Sequence, residues 1–143
     1  MTAIIHTIDE TESLTVIGET LRPMLTNEMG SPLEIFDTAG DEGMGPPPHR
    51  HGWSETYVML EGALDLLIGD DAPQRLTAGM AAHAPAGTPH GYTITEDGTR
   101  FLTILSQGNA HAFYRQMDAE VAMPPEIADI VRVAGEHGIM IGG

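Results

Sequence analysis

Residues 43–62, GMGPPPHRHGWSETYVMLEG, carry the side chains best suited to chemistry. His49 and His51 stand one residue apart, Glu55 follows four positions after His51, and glycines bracket the run. Imidazoles and carboxylates pointed into a protein interior are costly unless partnered. On an extended strand, residues two apart face the same way, so His49 and His51 present both rings to one side. A bound divalent metal ion would partner all three groups. A further ligand must then come from elsewhere in the chain.

The remaining composition narrows the chemistry. There is no cysteine, which excludes disulfides, thiolate zinc sites and cysteine nucleophiles. All 6 basic residues are arginine, so no lysine is available for a Schiff base. Against 21 acidic residues they leave a net charge of −15, a field that repels nucleic acid and anionic membranes. No stretch approaches the roughly 20 apolar residues that span a bilayer. The N-terminus, MTAIIHTIDETESL, has neither a basic nor a long apolar region. No secretory signal is read there, and a cytoplasmic address is expected.

The elements that must position these groups are short. LTVIGE, LRPMLTN and LEIFDTA read as extended segments separated by Gly, Asn and Pro, and the turn-rich AGDEGMGPPP delivers the chain to the histidines. ETYVMLEG and ALDLLIGD follow across a Glu-Gly turn; RLTAG, MAAHAPAG, HGYTITEDG and TRFLTILSQG come next. Strands this short, with turn signals every eight to twelve residues, predict an all-β barrel or sandwich. Beyond Gly108 the pattern becomes helical. In NAHAFYRQMDAEV, Asn109 is placed to cap a helix, and Phe113, Met117 and Val121 recur every fourth residue. In PPEIADIVRVAGEHG, Ile127, Ile130, Val131 and Ala134 share a face and Gly138 is a stop. Two short helices packed outside the barrel are expected. The 143 residues then form one domain, with a barrel over about residues 10–107 and a helical tail over 109–143.

A second histidine, His90, lies in GMAAHAPAGTPHGYTI. Here a resemblance enters. Gly43, five residues, His49, one residue, His51, three residues, Glu55, six residues and Gly62 is similar to the first cupin motif without a gap. Gly79, five residues, Pro85, one residue, Gly87, two residues and His90 is similar to the second, at the short separation typical of microbial members. The residue four after His90, usually Asn in that motif, is Ile94. The resemblance implies a cupin double-stranded β-helix, or jelly roll, in which His49, His51, Glu55 and His90 hold one metal ion. The tail, AFYRQM followed by PPEIADIVRVAGEHGI, is similar to the helical C-terminus of single-domain (RmlC-like) cupins resembling quercetin 2,3-dioxygenase.

Four ligands of type N, N, O and N leave one or two coordination positions open, as catalysis requires. Such a set suits Fe, Mn, Ni, Co or Zn. Taken singly, each of these residues has an ordinary reading: a solvated loop histidine, a strand-edge charge, a turn residue. His6, His83, His111 and His137 lie outside the ligand positions and are expected not to bind metal, although His83, inside the second motif, is placed to support a ligand. Tyr57 and Met59 share the face of Glu55, and with Phe36, Tyr92 and Phe101 they are the expected apolar substrate pocket. Met59 and Phe101 suit plain barrel core better. Trp53 is read equally as outer packing or as a gate at the mouth.

The resemblance implies a metal-dependent dioxygenase acting on a flavonol-like or enolised aromatic or diketone substrate, with Glu55 as ligand and base. Two alternatives use the same site. One is a metal-dependent isomerase, cyclase or dehydratase of polyketide-like or sugar substrates. The other is a non-catalytic module that binds a small ligand. The apolar N-terminal TAIIHTI needs a cover, and cupins usually dimerise through such strands, so a homodimer with a small-molecule substrate is expected.

Overall fold

The structure is a computed structural model describing residues 2–106 and 108–142. The expected barrel limit at residue 107 and the chain ends at 1 and 143 lie outside the described residues. In chain order the strands are β1 (Leu14–Val16), β2 (Glu19–Leu25), β3 (Glu34–Gly40), β4 (His49–Arg50), β5 (Glu55–Glu61) and β6 (Ala63–Ile68). They continue with β7 (Gln74–Thr77), β8 (Ala81–Ala84), β9 (His90–Ile94), β10 (Thr99–Leu105) and β11 (Met140–Ile141), with helices α1 (Ala110–Glu120) and α2 (Ile127–Glu136) before β11. One sheet runs β1-β2-β3-β10-β5-β8 and the other β11-β4-β9-β6-β7, with every pairing antiparallel. This is the all-β, two-sheet jelly roll with short C-terminal helices that the resemblance implies.

The strands form where the sequence alternates. In β5, Glu55, Tyr57 and Met59 are buried while Thr56 and Val58 face outward, and β10 alternates in the same way. Period-2 burial is what a strand with one core face demands. The expected Glu-Gly turn is present: Gly62 has φ of 77°, and a side chain there would collide with Thr99.

Three expectations need correction. LTVIGE is not one extended segment, because Ile17 (φ 50°) and Gly18 (φ 86°) form a two-residue turn that sets Val16 opposite Glu19. Two positive φ values suit the twist of a tight hairpin, but a β-branched residue rarely adopts one, so Ile17 disguised the turn. Asn109 stands at the N-terminus of α1 in the left-handed region, and its side chain makes no capping bond; its N–H instead donates to Asn27 Oδ1 at 3.0 Å. On α2 the buried residues are Ile130, Val133 and Ala134, while Ile127 and Val131 are 63% and 49% exposed. The helix is rotated so that only one edge of its apolar stripe meets the core.

The tail is also more than helical. After Gly138 the chain returns as β11, with Ile141 opposite His49 and the Gly142 N–H donating to the Pro48 carbonyl at 2.7 Å. Two apolar clusters result. Tyr57, Met59, Leu64, Ile94 and Phe101 fill the inside of the barrel. Leu14, Phe36, Trp53, Met117 and Val133 bind the helices to the first hairpin. Each fully buried side chain of this kind contributes about 1.5–3 kcal/mol, so the apolar core is large without any metal. Ile94, in place of the motif's usual Asn, is fully buried among these side chains.

Candidate metal centre

Three short elements bring the four candidate ligands together. β4 pairs with β9 so that His49 lies opposite His90, and β5 starts at Glu55. The rigid Pro46–Pro48 segment approaches β9 closely at Gly91, where a side chain would meet backbone atoms of all three prolines at 3.0–3.1 Å. The histidine rings sit 4.4–5.4 Å apart between centroids.

Each ring is oriented by a backbone carbonyl two residues away. His49 Nδ1 contacts Pro47 O at 2.9 Å, His51 Nδ1 contacts Trp53 O at 2.9 Å, and His90 Nδ1 contacts Thr88 O at 2.8 Å. A carbonyl only accepts, so each Nδ1 carries the proton and each Nε2 keeps its lone pair for the site. Glu55 Oε2 lies 3.1 Å from His51 Nε2 and 2.8 Å from His90 Nε2. One donor atom from each of His49, His51, Glu55 and His90 lies within 4.8 Å of the others. That is little more than twice a metal–ligand bond of about 2.0–2.2 Å.

The charges agree with this donor set. Burial pushes His49 down to about 4, with His90 adding to the fall, so its ring is neutral at physiological pH. Burial works to raise the Glu55 carboxyl, but the hydrogen bonds that His51 and His90 donate when a proton sits on Nε2 outweigh it and hold the group well below the usual carboxylate range. For His90, burial is overcome by the Glu55 contact and the pKa rises. Without an ion, a proton must sit between imidazole and carboxylate to reconcile two acceptors. A divalent cation does the same for all four groups at once. The residues fit a metal ion. Beside them, the Tyr57 hydroxyl is buried and faces Glu55, and burial first, then the Glu55 charge, pushes its pKa up.

A cavity opens from this cluster, but its walls differ from those expected. Of Phe36, Tyr57, Met59, Tyr92 and Phe101, only Tyr92 lines it. The other four are fully or almost fully buried: Tyr57, Met59 and Phe101 in the barrel core, Phe36 against Tyr114. The walls come from the first hairpin through Val16, Ile17 and Leu21, and from α1 through Phe113, Tyr114 and Met117. Ile130 of α2 and Ile139 and Ile141 of the returning tail complete them. The helices therefore close the chamber rather than merely packing outside the barrel. The chamber leaves about 60 Å³ for the centres of water-sized molecules. One water needs about 10–15 Å³ of such volume, so the enclosed space suits a few waters or one ring of a larger molecule.

Trp53 lies inside, stacked on His51 with ring centroids 4.3 Å apart. Gly108 makes room for it, since a side chain there would run into the indole. His83 is exposed on the outer side of β8 and bonds Thr56 Oγ1 at 2.8 Å, remote from any ligand ring. His111 bonds Glu12 and His137 bonds Gln116, while His6 lines a surface groove. The sequence reading missed Glu19, which sits at the start of β2 and lines the chamber. Its signal was a carboxylate one residue after a turn glycine.

Residues 39–105 match the Cupin domain family, and all four candidate ligands fall within them. The chain carries a cupin domain. A quercetin 2,3-dioxygenase from Bacillus subtilis (strain 168) is 34% identical over 86 residues, 59% of this chain and 25% of that protein. The cupin chain thus spans about a quarter of that relative's length. A solved RmlC-like cupin from Shewanella frigidimarina shares 21% identity at a TM-score of 0.64, covering 73% of this chain and 91% of that one. A polyketide cyclase from Streptomyces resistomycificus shares 23% identity at a TM-score of 0.61, covering 74% and 80%. At these identities the two structures show the cupin fold. No helix among the described residues is long and apolar enough to cross a membrane.

Proposed function

We propose that this cupin is a metal-dependent enzyme, a small mononuclear dioxygenase for a flavonol-like or enolised aromatic or diketone substrate. One observation carries the reading: three histidines, each fixed through Nδ1, turn their Nε2 atoms toward an ionised carboxylate at the wall of an apolar chamber. Likeness to a quercetin dioxygenase over 86 residues supports the reaction class.

An Fe, Mn, Ni, Co or Zn ion held by His49, His51, Glu55 and His90 would supply Lewis acidity and an open coordination position. Glu55, ionised and buried, accepts the proton of a substrate hydroxyl. The walls from α1 and the first hairpin exclude water around the resulting anion. Trp53 and Tyr92 offer aromatic faces that orient a ring.

The test is metal analysis of aerobically and anaerobically purified protein, followed by an oxygen electrode with flavonols and 1,3-diketones. Metal-dependent oxygen uptake is expected; its absence with every one of the five metals overturns the dioxygenase reading. Product formed without oxygen uptake favours the isomerase, cyclase or dehydratase reading. That reading is supported by a second carboxyl, Glu19, in the same chamber. Tight binding without turnover favours a ligand-binding module.

We also propose that the chain acts as one cupin domain in the cytoplasm and pairs with a second copy. Ile4 and Ile5 are exposed and border a groove with Ile35, Leu60 and Leu102 on the outside of the larger sheet. Sedimentation equilibrium should give twice the mass of 15.3 kDa; a monomer at micromolar concentration overturns the pairing.

A further inference from the structure

Glu19 is 4% exposed, and its hydrogen-bond partner among the described residues is Tyr92. Tyr92 Oη lies 2.8 Å from one carboxyl oxygen and 2.7 Å from the other. A phenol has one proton and can satisfy one of those contacts. No cation pairs with the carboxyl among the described residues, so burial favours a proton on the carboxyl, directed away from Tyr92 and free to be donated into the chamber. Burial is the first cause that pushes Glu19 up to about 8, and the charge of Glu55 adds to it against the Tyr92 hydrogen bond. A cation at Glu55 would relieve only that smaller cause. Both carboxyls line one chamber, and their environments drive them in opposite directions, the pattern that separates an acid from a base.

The backbone adds an independent observation. Glu19 follows the turn at Ile17 and Gly18, where Ile17 holds a φ of 50°. Ile17 itself lines the chamber. Strain of this kind persists where the surrounding structure fixes it, and it collects at ligand sites.

We propose that Glu19, anchored by Tyr92, is a substrate-contacting hydrogen-bond donor that recognises a second oxygen of the substrate, a carbonyl or phenolic oxygen remote from the oxygen held at Glu55. The ligand class is then a small apolar ring or chain bearing two oxygen functions, one at each carboxyl. The inference deepens the proposed function and rests on its assignment of the chamber as the substrate site.

The test uses the purified full chain and three probes: 3-hydroxyflavone, flavone and acetylacetone. Trp53 is the single tryptophan and lines the chamber, so quenching of its fluorescence reports occupancy. Glu19→Gln retains a donor and should bind within about threefold of the parent. Glu19→Leu removes the donor and should bind about 10-fold more weakly or worse. Tyr92→Phe, which frees the anchor, should fall between them. Binding by Glu19→Leu equal to the parent overturns the inference, and if that variant does not fold, parent-like binding by Tyr92→Phe does so. Glu19-dependent binding by a protein that consumes no oxygen sustains the inference while the dioxygenase reading falls. If none of the probes quenches Trp53, both fall.

Discussion

Trp53 orients His51 twice: its carbonyl accepts the Nδ1–H at 2.9 Å, and its indole stacks on the imidazole with planes 13° from parallel. The carbonyl fixes the tautomer and the ring fixes the tilt, so the residue between two candidate ligands shapes the cluster without being one of its four donors. Groups that hold a ligand in this way typically contribute 10–100-fold in affinity. Trp53→Phe should keep most of the stack and metal binding near the parent value. Trp53→Ala should weaken binding about 10-fold or more, measured by competition with a coloured chelator. Parent-like affinity in Trp53→Ala would show that the carbonyl suffices.

The ligands themselves should be separable from the fold. His49→Ala, His51→Ala and His90→Ala should each lower bound metal sharply and leave the far-UV circular dichroism unchanged, because both apolar clusters persist. Elemental analysis reads the first effect. Stoichiometric metal in any two of the three variants would overturn the site.

At Glu55, coordination and proton transfer can be told apart. Glu55→Gln keeps an oxygen that can ligate but loses the charge and the proton acceptor. For a general base, turnover should fall about 10²–10⁴-fold while metal occupancy drops modestly. Full recovery of activity on adding excess metal would refute the role as base and leave the centre intact.

Glu19 should make the native protein lose stability as pH rises. Its folded pKa, about 8 through burial first, exceeds the ordinary value of about 4.3 for an unfolded glutamate. Below the unfolded value both states hold the proton and stability is whole. Between the two values the unfolded chain releases its proton first, and the loss, about 1.4 kcal/mol per pH unit, is complete above the folded pKa. Glu19→Gln has no such slope. Its Tm relative to the parent should therefore rise between about pH 5 and pH 8.5 in calorimetric scans. A constant difference would mean that Glu19 ionises normally.

The helical wall should matter to both stability and binding. Met117 is 1% exposed and lines the chamber from α1. Met117→Ala should cost about 2–5 kcal/mol in urea unfolding and enlarge the chamber. Bulkier flavonols should then gain affinity relative to acetylacetone. An unchanged ratio of the two affinities would place the substrate elsewhere.

The sequence by itself determined the ligand set as a candidate and the fold that holds it. His49, His51, Glu55 and His90 were legible because a metal centre constrains residue type and spacing together, and the turns around it need glycine and proline at fixed offsets. The strands were legible because one buried face imposes a period of two. The tertiary structure alone decided the chamber. Tyr57, Met59 and Phe101 share a strand face with the ligands or lie beside it, yet they fill the barrel, while Met117 and Ile139 reach the site from 60 or more residues after Glu55. Strand periodicity gives the side of a sheet and not the depth along it. It carries no information on which distant segment covers the open end. Glu19 escaped for the same reason: a carboxylate beside a turn looks solvated until β9 brings Tyr92 across to it and α1 seals the space above.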